Sequence, residues 1–144
     1  MATLSTLLAS ELALTGSCWR LRTNANGYKR ATGQALVTQA SNGRSFRILE
    51  RRGSRLWIQL LEDGYRCWFD LDAVLGRAEQ RGPWHPELLP GMAIASRLPA
   101  VLAWTERAQQ QDNRYLWGGT TEPDMDCSGL MQMAFASQGI WIPR

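Results

Sequence analysis

The run Asp126-Cys127-Ser128-Gly129 contains the residue types, in the order, that could do covalent chemistry in this chain. Asp126 has the side chain of a helix N-cap. Cys127, Leu130, Met131, Ala134 and Phe135 follow at i, i+3, i+4, i+7 and i+8, one face of a helix, and Gly139 stands where a left-handed residue closes such a helix. The spacing predicts a buried helix from Cys127 to Gln138, with the thiol in its first turn. Unpaired backbone N–H groups and the positive end of the helix dipole favour thiolate there, the form that attacks a carbonyl carbon. A free cysteine is also among the most buried residue types, so position alone leaves inert packing open.

A nucleophilic cysteine needs a base to take its proton and return one to the leaving group, with a polar group to orient that base. The single histidine, His85, lies between Trp84 and Pro86, far upstream of Cys127, and no histidine follows the cysteine. A loop histidine flanked by proline reads as a solvent or interface residue and is not assigned to catalysis.

The elements that must position the cysteine begin with short β-type runs. Ala35–Gln39, Phe46–Glu50, Leu56–Leu61 and Arg66–Phe69 are separated by Asn42-Gly43, Gly53-Ser54 and Asp63-Gly64, which is hairpin turn chemistry, and they read as a small barrel. Trp57, Ile58, Leu60, Leu61, Trp68 and Phe69 supply its apolar faces. From Gly76 to Gly91 the proline, glycine and charge content predicts an irregular connector. A helix capped by Ser96, with Pro99 in its first turn, is expected to run to about Gln111.

Tyr115-Leu116-Trp117-Gly118-Gly119, then Asp126-Cys127-Ser128-Gly129-Leu130-Met131-Gln132, then AFASQGIWIPR, together resemble the NlpC/p60 cysteine peptidases around their nucleophile. The stretches LVTQASNGRSFRIL and LLEDGYRCWFDLDAV resemble the bacterial SH3-like domain that precedes the catalytic domain in that family, above all in its cyanobacterial members. The resemblance implies an α+β chain, an SH3-like β-barrel over 1–75, a linker over 76–95 and the N-terminal helical part of a papain-like domain over 96–144. It implies a γ-D-glutamyl-L-diamino-acid endopeptidase of cell-wall peptide recycling, with Cys127 as nucleophile. Tyr65 and Asp126, with Ser128 lining the same subsite, would hold the free amino end of an L-Ala-γ-D-Glu-diamino-acid peptide. The double glycine would let backbone approach the cleft, and Gly129 would keep the helix start open to substrate.

The same family places its histidines on strands after the cysteine helix, and these are missing here. The expected consequences are an incomplete catalytic domain, no activity from this chain alone, and poor cover for the apolar stripe of the cysteine helix and for Ile140, Trp141 and Ile142. Self-association or a second chain would supply the cover. The alternative is a non-catalytic module that binds peptidoglycan peptides or a protein partner.

Bulk composition narrows the classes further. With 44% hydrophobic and 20% charged residues the chain is globular, and 16 Lys and Arg against 13 Asp and Glu leave a net +3, too weak and scattered to point to nucleic acid or an anionic membrane. Cys18, Cys67 and Cys127 are odd in number and irregularly spaced, indicating neither a disulfide framework nor a metal site, and nothing calls for a cofactor. Leu4 to Leu14 lacks a preceding Lys or Arg and contains Glu11, so no signal peptide is read, and a cytoplasmic protein is expected.

Overall fold

A computed structural model of the chain describes residues 4–144. Seven strands, β1 (Cys18–Leu21), β2 (Ala25–Tyr28), β3 (Leu36–Ala40), β4 (Ser45–Arg52), β5 (Arg55–Leu60), β6 (Arg66–Asp70) and β7 (Ala78–Arg81), form one antiparallel sheet in the order β3-β2-β6-β5-β4-β1-β7. Helix α1 (Leu71–Val74) is a single turn after β6, and α2 (Gly91–Gln110) and α3 (Cys127–Ala136) follow the sheet. The fold is therefore mixed helix and antiparallel sheet. Its core is the inward face of the central strands, where Trp19, Leu21, Phe46, Ile48, Leu56, Ile58, Leu60 and Phe69 are buried and Phe46 meets Phe69 edge-on at 5.3 Å. Hairpin β4–β5 closes through Gly53-Ser54, with Gly53 at φ +58° in the first turn position, where a side chain would be strained.

The sequence predicts a barrel, but among the described residues β3 and β7 are the two ends of the pairing order and do not pair with each other. The sheet is open. Each end is covered by other chain: Leu8 N–H donates to Ala78 O and Gln80 N–H to Thr6 O, both at 2.8 Å, so residues 6–8 run along β7. Strand β7 itself falls in the predicted connector. Its polar sequence Ala-Glu-Gln-Arg carries no strand pattern, and it pairs with β1 from Cys18↔Arg81 to Leu21↔Ala78. Trp57 and Leu61 are only half-buried, while the other named aromatic and aliphatic positions of the sheet are core.

Two helix expectations are corrected. Helix α2 starts five residues earlier than Ser96, with Pro90 at its N-cap, so Pro99 lies inside it rather than in the first turn. Helix α3 does begin at Cys127 with Asp126 as cap, but its buried residues are Gly129, Gln132 and Ala134, whereas Cys127 is exposed and Met131 is 46% exposed. Of the rest of the predicted stripe, Leu130 and Phe135 are half-buried, so it is only partly covered. Ile140, by contrast, is buried and Ile142 is tied to α3, so the last residues pack against the rest of the chain instead of lacking cover. Among the described residues no helix is long and apolar enough to cross a membrane.

Candidate active site

Strand β3 supplies the platform. Gln39 Oε1 accepts from Thr120 N–H at 3.1 Å, Thr121 N–H at 3.2 Å and the Thr121 hydroxyl at 2.8 Å, and the Thr120 hydroxyl donates to the Gln39 carbonyl. These bonds lay the Tyr115–Thr121 loop against β3 and satisfy the Gln39 carbonyl on its open edge. Gly118, at φ +80°, makes that approach possible, because a Cβ there would come within 3.0 Å of the Val37 backbone.

Asp126 holds the site together. Its Oδ1 accepts from Gly129 N–H at 2.8 Å, the N-cap bond, and from the Ser128 hydroxyl at 3.2 Å. Its Oδ2 accepts from Gly118 N–H at 2.8 Å and from Arg144 Nη2 at 2.6 Å. Burial alone would raise the Asp126 carboxyl, but the Gly129 and Gly118 amides, the Arg144 charge and the Ser128 hydroxyl outweigh it and hold the carboxyl below its ordinary value. A carboxylate offers about four lone-pair positions, and all are engaged. Arg144 also donates to Val37 O at 3.3 Å, so the last residue bridges the cysteine helix to β3. Gly129 is not a window for substrate. It is buried, and a Cβ there would run into the Gly119 carbonyl oxygen, so the glycine lets α3 start against the loop.

The structure brings Tyr65, Asp126, Cys127 and Ser128 to one cleft of about 270 Å³, which Tyr115, Trp117 and Arg144 also line. Cys127 and Ser128 are exposed, and Tyr115 and Trp117 are 65% and 71% exposed. Burial pushes the Tyr65 phenol above its ordinary value; Arg144 opposes this, and Cys67, Asp63 and Asp126 add to it. The phenol therefore stays protonated at neutral pH, able both to donate and to accept. A second cleft of about 350 Å³ between α2 and α3, lined by Thr105, Ala108, Met125 and Leu130, also reaches Cys127. A larger groove, about 540 Å³ between Trp104 and Trp141, does not reach the cysteine. Size is a poor guide here.

His85 lines a different cleft, with Arg47, Leu61 and Trp84. None of the residues that line the two clefts at Cys127 is a histidine. Arg144 is the site residue that sequence reasoning missed. A signal did exist, since a capping aspartate next to a nucleophile needs a counter-charge if it is buried.

Residues 112–144 match the NlpC/P60 family. Residues 27–74 match the bacterial dipeptidyl-peptidase Sh3 domain. No curated protein matches. Two solved structures are similar: NlpC2 from Trichomonas vaginalis, at 20% identity and TM-score 0.35, over 89% of this chain and 43% of that one, and NlpC1 from the same organism, at 13% identity and TM-score 0.42, over 100% and 70%. The chain thus spans 43% of the length of the first.

Proposed function

We infer that this chain carries the nucleophile and the amino-end subsite of a cysteine peptidase acting on peptidoglycan-derived peptides. The observation that carries this is the shared cleft of Cys127, Tyr65, Asp126 and Ser128. The match of residues 112–144 to the NlpC/P60 family supports it. Cys127 Sγ would attack the γ-amide carbonyl of D-Glu in an L-Ala-γ-D-Glu-diamino-acid peptide. The C–N bond would break, the diamino acid's amine would leave with a proton from a base, and water would hydrolyse the thioester. That base is contributed from outside these 144 residues, by further chain or a second polypeptide.

At the amino end, the lone pairs of Asp126 are already occupied. An incoming ammonium would meet the hydroxyl oxygens of Ser128 and Tyr65 as acceptors and either feel the Asp126 charge behind them or displace Arg144 from Oδ2. Only peptides already freed at L-Ala would fit, which is the demand of recycling in the cytoplasm rather than of wall cutting. Calorimetric titration with L-Ala-γ-D-Glu-diaminopimelate and its N-acetyl form tests this. One charged hydrogen bond of about 1.5–3 kcal/mol corresponds to roughly ten- to hundredfold weaker binding on acetylation. Equal affinity for both forms would remove the amino-end role.

A non-catalytic peptide-binding module is favoured by one observation, the placement of His85 in another cleft. Such a module would bind the free-amino peptide equally well yet never hydrolyse it, even when a histidine-bearing continuation is supplied.

A further inference from the structure

The turn Glu62-Asp63-Gly64 between β5 and β6 holds a buried acidic pair that the chemistry above leaves unused. The Asp63 side chain is 1% exposed and that of Arg44 2%. Arg44 Nε donates to Glu62 Oε1 at 2.7 Å, Glu62 Oε2 accepts from Ser45 N–H at 2.8 Å, and Arg44 Nη2 lies 3.2 Å from Asp63 Oδ1. The Arg44 guanidinium lies over Trp141 at 4.5 Å. One cation thus faces two carboxylates, and the surplus negative charge needs fixed donors in place of water.

Asp63 finds those donors on Tyr65, which lines the Cys127 cleft, and on Gln132 of the cysteine helix. Its Oδ1 accepts from the backbone N–H of Tyr65 at 3.0 Å, and its Oδ2 from Gln132 Nε2 at 2.7 Å. Gln132 is fully buried in α3, the helix that opens with Cys127, and its Nε2 also donates to Ile142 O at 3.0 Å. Tyr65 in turn is fixed to β5, since its carbonyl accepts from Leu60 N–H at 2.8 Å, with Gly64 at φ +75° making the turn.

We propose that Asp63 is a positioning residue for this cleft: its single carboxylate ties the Tyr65 wall to the cysteine helix through Gln132 and sets their spacing. Asp63→Asn keeps one acceptor and turns an amide N–H toward a donor, so one of the two ties breaks whichever way it faces. Adding Gln132→Glu restores a donor–acceptor pair and the charge of the cluster, at the loss of the Ile142 bond.

A ligand-free measurement tests the tie. In a Tyr65→Cys variant, the rate at which a short bifunctional thiol reagent joins position 65 to Cys127 is compared with its rate of single attachment at Cys127, below the unfolding transition. Asp63→Asn is expected to slow the cross-link relative to single attachment by about tenfold. Adding Gln132→Glu to Asp63→Asn should recover part of the loss, a rescue that general destabilisation would not give. An unchanged ratio in folded Asp63→Asn overturns the proposal, and so does a loss that Gln132→Glu leaves untouched. If Asp63→Asn does not fold, Gln132→Met, which cuts only the helix end of the tie, takes its place with the same expectation and the same refuting result.

A second arm rests on the amino-end role of Tyr65 proposed above: with Tyr65 intact, Asp63→Asn should shrink the affinity ratio between free and acetylated peptide. Failure of the unmutated protein to discriminate the two peptides would sink that role, while the cross-link still decides the place of Asp63.

Discussion

Asp126→Asn isolates the charge at the centre of the site while keeping its shape. Asn is as good an N-cap as Asp, so its oxygen can stay on Gly129 N–H, and the amide nitrogen then faces Gly118 N–H and the Arg144 guanidinium. Both partners of the broken ion pair are nearly buried, with side-chain exposures of 5% and 9%. Stranding one member of a buried pair costs about 3–5 kcal/mol, and relaxation of the flexible Arg144 side chain toward solvent brings the expected loss to about 2–4 kcal/mol at pH 7. Urea denaturation followed by tryptophan fluorescence measures it. The loss must also depend on pH. The folded Asp126 carboxyl lies below its ordinary value, so its contribution is complete above the unfolded value of about 3.9 and disappears as pH falls through the folded one. The stability difference should therefore begin to shrink below about pH 4 and go on shrinking as pH falls through the folded value. A loss under about 0.5 kcal/mol at pH 7, or one that stays constant down to pH 3, would refute the assignment of Asp126 as the charged hub.

Three further outcomes are expected. Iodoacetamide should modify Cys127 first, because it is exposed while Cys18 and Cys67 are buried and the Cys67 thiol is pushed up to about 12. At pH 8 that leaves a thiolate fraction of about one in ten thousand at Cys67, and peptide mass mapping that finds equal modification of the three would contradict the site. Gly129→Ala should destabilise by about 1–3 kcal/mol, since its Cβ meets the Gly119 carbonyl oxygen and stands 3.0 Å from Asp126 Oδ1; a thermal melt unchanged from the parent would show that α3 does not start against that loop. The chain alone should not turn over L-Ala-γ-D-Glu-diaminopimelate, as judged by chromatography of the products, because His85 lines another cleft; turnover that survives His85→Ala would show a base other than histidine at Cys127.

Parts of this architecture with local causes were legible in the sequence. Strands β3 to β6 lie within a residue or two of the expected runs, because Asn-Gly, Gly-Ser and Asp-Gly set the turns, and Gly43, Gly53 and Gly64 all have positive φ. The start of α3 was legible for the same reason, since an Asp cap and a helical stripe are chain-local signals. Strands β1, β2 and β7 were not: each has four residues, β2 contains Asn-Gly, which normally marks a turn, and β1 and β7 pair with each other from far apart in the chain. At the site, the resemblance implies Tyr65 beside the cysteine, and the two residues line one cleft. The Asp63–Gln132 tie was invisible because it joins segments far apart in the chain, whereas the Arg144 ion pair was legible only as the counter-charge that a buried capping aspartate requires.

The proposed chemistry is tested most directly by an L-Ala-γ-D-Glu chloromethyl ketone, in which the electrophilic carbon follows the γ-carbonyl that Cys127 would attack. Mass spectrometry of the modified chain should find one adduct, at Cys127, forming faster with the free-amino reagent than with its N-acetyl analogue and lost in Cys127→Ser. Adducts spread over Cys18 and Cys67, or formation at Cys127 at one rate whether or not the amine is free, would contradict a cysteine that attacks peptides selected by their amino end.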